Sequence, residues 1–148
     1  MTLMLLLCLG EDRYVIGADY IVEIFPRINL KIIPHSKKYL AGLLNYGGVP
    51  LPVIDLSQIV IGKESNNAMH TRIILLQYTA PEKGRQSLGL IAEQIVQTEE
   101  IDPNTFIESG LQLGELPFLE GVLTKGNRST QFISVPKLFE FVSKSLLE

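Results

Sequence analysis

Apolar residues in this chain come in short runs separated by turn residues, and most runs have the length and period of β-strands. The first, Leu3 to Leu9, is apolar at successive positions, as in a strand buried on both faces. Gly10-Glu11-Asp12-Arg13 ends it, and Tyr14-Val15-Ile16 returns as the second arm of a hairpin. Ile28, Leu30 and Ile32 alternate with Asn29 and Lys31, the period-two pattern of a half-buried strand. Thr71 to Tyr78 is a further apolar run between the polar stretches Gly62 to His70 and Thr79 to Ser87. Val122 to Thr124 and Thr130 to Val135 flank the turn cluster Lys125-Gly126-Asn127-Arg128. About nine strands of 4–8 residues are expected, which predicts an all-β sandwich or small barrels.

Helices are few. Asp102-Pro103 combines a capping carboxylate with proline at the first helical position and predicts one turn over Asn104 to Glu108. Leu138, Phe139, Val142 and Leu146 recur at helical spacing after Pro136 and predict an amphipathic C-terminal helix, its stripe packed in the core. Ser109 to Glu120 has little period and reads as a long loop tucked down by Leu111, Leu113, Leu116 and Phe118. No internal repeat stands out.

The segment from Ile33 to Leu56 is the most informative. Ser36 is placed to cap a short helix ending at Gly42, since helices commonly close with a left-handed glycine. Leu43 to Tyr46 then runs into Gly47-Gly48, a pair suited to a two-residue primed turn, and Val49 to Leu56 runs back. Pro50 and Pro52 remove N–H donors from the same side of that strand, which predicts an edge strand or a bulge. Asp55 is expected to fix the turn that follows by accepting backbone N–H groups.

Gly42, Asn45, Gly48, Val49, Pro52, Val53, Ile54, Asp55 and Leu56 together resemble the signature of the CheW-like domain family. That pattern is Gly, two apolar residues, Asn, Leu, Arg, Gly, then Pro-Val-x-Asp-Leu. The likeness continues through Tyr14-Val15-Ile16-Gly17, Ile21-Val22-Glu23-Ile24, Thr71 to Leu76, Leu88-Gly89-Leu90-Ile91, Leu119-Glu120-Gly121-Val122 and Phe132 to Leu138. It thus spans nearly the whole chain, as a single domain over 1–148. The resemblance implies two intertwined five-stranded, SH3-like β-barrels with short helices and a C-terminal helix. It also implies a chemosensory adaptor that couples the cytoplasmic tip of a chemoreceptor to the regulatory domain of a CheA-type histidine kinase by binding alone. One residue departs from the pattern: Gly47 stands where the family usually has an Arg associated with partner contact. Asn-Tyr-Gly-Gly, Pro-Leu-Pro-Val-Ile-Asp-Leu-Ser and Thr-Arg-Ile-Ile-Leu look more like adaptors of alternative chemosensory systems, such as the Wsp type, than the flagellar coupling protein.

Composition narrows the classes. A chain of 148 residues can bury roughly 68–70% of its unfolded surface, and 46% apolar with 20% charged residues is globular. The single cysteine, Cys8, excludes an internal disulfide, and its apolar run suits a buried thiol. The apolar run at the start is too short for a spanning helix and lacks a basic flank and a cleavage site, so a cytoplasmic protein with no membrane insertion is expected, and the resemblance implies a place beside receptor arrays. A net charge of −3 gives no electrostatic footprint for nucleic acid, and Lys37-Lys38, the one adjacent basic pair, reads as a solvated helix face.

Candidate chemistry is sparse. His35 and His70 stand in polar or proline-flanked sequence without metal-ligand spacing, so neither a metal nor any cofactor is expected. Gly121 and Gly126 have the glycine spacing of a phosphate loop, but Asn127-Arg128 replaces its Lys-Ser/Thr, leaving a hairpin turn. Glu99, Glu100 and Asp102 lack the oxygen count for calcium and read as a solvated face. No catalytic residue is assigned, and an enzyme is not expected. The partner surface is assigned to Ile21, Glu23 and Ile24 near the opening hairpin and to Gly42, Asn45, Tyr46 and Gly47 around the motif turn. Glu23 reads either as a partner for a cation or as a solvated strand charge, and Tyr46 either as an interface anchor or as a core-edge residue. A small-ligand-binding barrel is the alternative function, and it requires an enclosed apolar cavity with convergent polar groups.

Overall fold

The structure is a computed structural model that describes residues 1–108 and 116–147. Its order is β1 (Thr2–Leu9), β2 (Asp12–Gly17), a 3₁₀ turn (Ala18–Tyr20), β3 (Ile21–Pro26), β4 (Leu40–Tyr46), β5 (Val49–Asp55) and α1 (Leu56–Val60). There follow β6 (Arg72–Ala80), β7 (Gly84–Ala92), β8 (Gln94–Ile101), a 3₁₀ turn (Pro103–Thr105), β9 (Leu119–Lys125), β10 (Arg128–Ile133) and α2 (Val135–Leu147). The ten strands form two five-stranded sheets, ordered β8-β1-β2-β10-β9 and β3-β6-β7-β5-β4, the two-barrel architecture the resemblance implied. The chain divides into a discontinuous unit, Met1–Asp19 with Val96–Glu148, and a continuous one, Tyr20–Ile95.

In the discontinuous unit, β1 is interior to its sheet, which is why Met4, Leu5, Leu6 and Leu7 can be apolar in succession and all buried. The β2 strand is antiparallel to β1 and parallel to β10, with Val15 opposite Leu6 and Phe132. Phe106 and Phe132 pack together at 5.6 Å and join the cluster of Met4, Leu6 and Val15. Burial, with a smaller contribution from Asp12, pushes the Tyr14 phenol up to about 12. The C-terminal helix is present, with Leu138, Phe139 and Val142 buried. Phe118 is fully buried and stands edge-on to Phe141, so the end of the long connection is tucked down as expected; Leu111 and Leu113 lie outside the described residues.

The continuous unit is built around β6, where Ile73, Ile74, Leu75 and Leu76 are fully buried, and β7 and β5 add Leu90, Ile91, Val53 and Ile54. Each such aliphatic side chain contributes about 1.5–3 kcal/mol of transfer free energy. Asp55, only 3% exposed, ends β5 and starts α1. Its carboxylate accepts from the backbone N–H groups of Ser57, Gln58 and Ser65 and from the Ser65 hydroxyl, fixing both a helix start and the loop beyond it.

Several elements differ from the sequence pattern. No helix runs from Ser36 to Gly42: the Ser36 hydroxyl donates to the Ile33 carbonyl in a turn, and Gly42 lies inside β4. Lys37-Lys38 is accordingly in loop rather than on a helix face. Ile28 to Ile32 is not a strand, because only Lys31 makes a bridge, to Leu43; Leu30 packs inward while Ile28 and Ile32 are exposed. The proline-bearing strand is interior, between β4 and β7, yet its pairing with β7 begins only at Val53. Pro50 and Pro52 stand opposite Asn45 and Leu43 in the β4 ladder but precede the stretch that pairs with β7, so on the β7 side no ladder is interrupted. The turn after Asp102 is a shorter 3₁₀ turn, and β6 and β7 extend into the stretch read as polar loop.

The passage of Lys31 against β4 depends on Gly42. A Cβ there would lie 2.6 Å from the Lys31 carbonyl oxygen and 2.8 Å from Leu30 Cβ, and φ is +153°. Gly42→Ala is expected to lower stability by about 2–4 kcal/mol in urea unfolding, and Asp55→Ala by about 2–3 kcal/mol through its orphaned donors. A Gly42→Ala protein as stable as the parent would show that Leu30 and Lys31 do not hold this position.

Candidate functional site

The β4–β5 hairpin turns through Gly47 and Gly48, at φ +58° and +88°, with Tyr46 opposite Val49. Both central residues with positive φ are what a type I′ turn requires. The Asn45 side chain accepts from the Gly48 N–H at 2.9 Å, closing the turn from one side. Asn45, Tyr46, Gly47, Gly48 and Val49 are all exposed.

β3 reaches this hairpin through side chains. The Tyr46 hydroxyl donates to Glu23 Oε2 at 3.0 Å, and the Tyr46 ring stands edge-on to Phe25, centroids 5.9 Å apart at 71°. Glu23 and Phe25 are two apart on β3 and so share a face; Ile24 points the other way and is exposed. Phe25 packs on the cluster of Leu44, Leu51, Val53, Ile73, Leu75 and Ile91, which makes Tyr46 a bridge between that core and the surface. The pairing of β3 with β6 shifts register between Ile21 and Glu23, and Val22, within that irregularity, is exposed.

The structure therefore brings Glu23, Tyr46 and, through the shared hairpin, Asn45 and Gly47 into one neighbourhood, with Ile21 half-buried and Ile24 exposed on the adjoining strand. Gly42 is buried and touches Leu30 and Lys31 instead, so it positions this surface from behind. Phe25, Val22 and Val49 were missed as parts of the site. The signals were there: Phe25 alternates with Glu23, and Val49 faces Tyr46 across a two-residue turn.

Chemically the arrangement suits binding. It offers exposed apolar groups at Val22, Ile24, Tyr46 and Val49, with one carboxylate whose hydrogen bond orients a phenol. The hydrogen bond to Glu23, and then the carboxylate's negative charge, raise the Tyr46 phenol above its ordinary value. Among the described residues there is no cluster of metal-ligating side chains.

A model of the CheW-like domain matches residues 3–143. The chain belongs to the CheW-like domain family. A probable chemotaxis protein CheW of Rhizobium etli is 27% identical over 136 residues, covering 88% of this chain and 83% of that protein. The crystal structure of the scaffolding protein TtCheW from Thermoanaerobacter tengcongensis superposes with a TM-score of 0.81 over 99% of this chain and 92% of that one, at 22% identity. At that identity the likeness speaks for the CheW-like fold.

Replacing Glu23 by Gln removes the charge that holds the proton on Tyr46, so the Tyr46 phenol is expected to titrate at lower pH, read by NMR of ring-labelled tyrosine. Because the folded value lies above the unfolded one, the stabilisation from this pair is complete below the ordinary tyrosine range and is lost as pH rises through the folded value. An unchanged Tyr46 titration in Glu23→Gln would show that the pair does not form in solution.

Proposed function

We propose that the chain is a chemosensory adaptor that couples a chemoreceptor's cytoplasmic tip to the regulatory domain of a CheA-type histidine kinase, acting by binding and without catalysis. The observation that carries the reading is family membership over residues 3–143, supported by the fold shared with a scaffolding protein and by the relative described as a chemotaxis protein. The contact surface is β3 with the β4–β5 hairpin: Ile21, Glu23 and Ile24 on one element, Asn45, Tyr46 and Gly47 on the other. Tyr46 is its anchor, a ring already ordered by Phe25 and Glu23, so that little side-chain freedom is lost when a partner covers it. Such a protein works by linkage: holding receptor and kinase together lets a change in one shift the equilibrium of the other.

The place of action is the cytoplasmic side of the inner membrane, beside receptor arrays. No described helix is long and apolar enough to cross a membrane. The interior of the continuous unit is occupied by fully buried aliphatic side chains of β5, β6 and β7, which favours the adaptor over a ligand-binding barrel.

The test is co-purification of the full chain with a receptor cytoplasmic fragment and a kinase regulatory domain from the same organism. Ile24→Asp and Glu23→Lys are expected to weaken association by about tenfold or more with the thermal transition retained. Binding unaffected by both would remove this surface from the proposal, and failure of the parent chain to bind either fragment would remove the adaptor role. Gly47→Arg restores the family's usual residue at a position with open space but positive φ. It is expected to change preference between the two fragments at a stability cost of about 1–2 kcal/mol, read by competition binding and urea unfolding.

A further inference from the structure

Between Glu23 and Asp55 the sequence holds no carboxylate, while Arg27, Lys31, Lys37 and Lys38 all fall there. Against a whole-chain charge of −3, those four cations leave −7 on the remainder. The structure gathers them on the β3–β4 connection, most of whose residues are exposed, the three lysines among them. Among the described residues none of the four cations has a carboxylate partner. Two large apolar residues interleave with them, Ile28 at 43% and Ile32 at 75% exposure.

This connection is irregular but pinned. Lys31 exchanges both backbone hydrogen bonds with Leu43, at 3.0 and 2.8 Å; the Leu40 N–H reaches the Lys37 carbonyl at 3.0 Å, and the Asp55 N–H reaches the Tyr39 carbonyl at 2.7 Å. Between those anchors His35 is held at φ +61°, a conformation uncommon for non-glycine residues and found where structure over-determines the backbone. The lysines therefore project from a preorganised ridge, which reduces the ordering cost of association.

We propose that this ridge, Arg27 to Lys38, is a docking surface for an acidic protein segment, with Ile28 and Ile32 as the apolar contacts and the three exposed lysines, Lys31, Lys37 and Lys38, meeting carboxylates. Charge complementarity selects the occupant. An anionic bilayer would also meet the ridge, but a broad charged plane within a Debye length would feel the −7 on the rest of the chain, whereas a protein segment contacts the ridge alone. The ridge carries no assignment in the coupling surface; the identity of its partner as receptor or kinase rests on the adaptor reading.

The test uses the full chain with a glutamate-rich peptide, with the receptor fragment and kinase domain, and with vesicles of one part phosphatidylserine to two of phosphatidylcholine. Peptide binding is expected to fall steeply as salt rises, and Lys37→Glu with Lys38→Glu to lower it by about tenfold or more. Lys37→Gln with Lys38→Gln is expected to lose less, Ile32→Ser to weaken binding at every salt, and Lys125→Glu, on the β9–β10 hairpin, to leave it near the parent. The same ridge variants should weaken one of the two protein fragments, and circular dichroism reports whether each stays folded. Equal losses in Lys125→Glu and the ridge variants, or no loss in any, would overturn the ridge, as would binding to vesicles with none to peptide. Fragment binding abolished by Glu23→Lys but untouched by the ridge variants would overturn the ridge and keep the adaptor reading. Ridge-dependent peptide binding without any fragment binding would keep the ridge and count against the adaptor reading.

Discussion

The continuous unit depends on one close approach of backbone to backbone. Where the chain leaves β3 it crosses to the free side of β4, and Lys31 exchanges two hydrogen bonds with Leu43 directly beside Gly42. No side chain fits between those backbones. The approach brings Leu30 onto the core cluster and, from the same connection, turns Ile28 and Ile32 outward. It also bridges β4 at Leu43 on its free side, so that one donor and one acceptor of this edge strand are paired within the chain.

A second constraint is the buried carboxylate of Asp55. It accepts from N–H and O–H donors of α1 and Ser65, most of them backbone groups, so its hydrogen-bonding capacity is met inside the fold. The Ser65 end of the following loop is tied to the end of β5, while Thr71 bonds the Asn66 carbonyl and Asn66 donates its N–H to Glu93. The loop therefore enters β6 from a defined position, although its sequence is polar and without period.

The elements that could be read from the sequence are those where local chemistry and final environment agree. Leu3 to Leu9, Thr71 to Tyr78, Gly47-Gly48 and the Leu138, Phe139, Val142 stripe each carry one dominant signal, and each is found where expected. The misreadings share a cause. Gly42 has the local look of a helix stop, but its glycine is required by Lys31, a residue eleven positions away that no window over Ser36 to Gly42 includes. Ile28, Leu30 and Ile32 alternate as a strand would, but only Leu30 meets the core, because the segment has a partner at Lys31 alone. The pairing of Glu23 with Tyr46 could be guessed only as two separate candidates, since a contact between β3 and β4 is a property of closure.

The order in which the strands occur along the chain has a consequence for how the molecule is made. The Tyr20–Ile95 unit is contiguous, so all five of its strands are available once that stretch has been synthesised. The other unit begins with β1 and β2, yet β8 and β10, which flank them in the sheet, arrive only after the whole inserted unit. Through that interval the hairpin bearing Leu3 to Leu9 exists with neither neighbour, two apolar strands with open sides in a nascent chain. Long-range pairing of this kind is slow because loop closure precedes its reward, so this sheet is the last to be completed and the part most exposed to intermolecular pairing during synthesis.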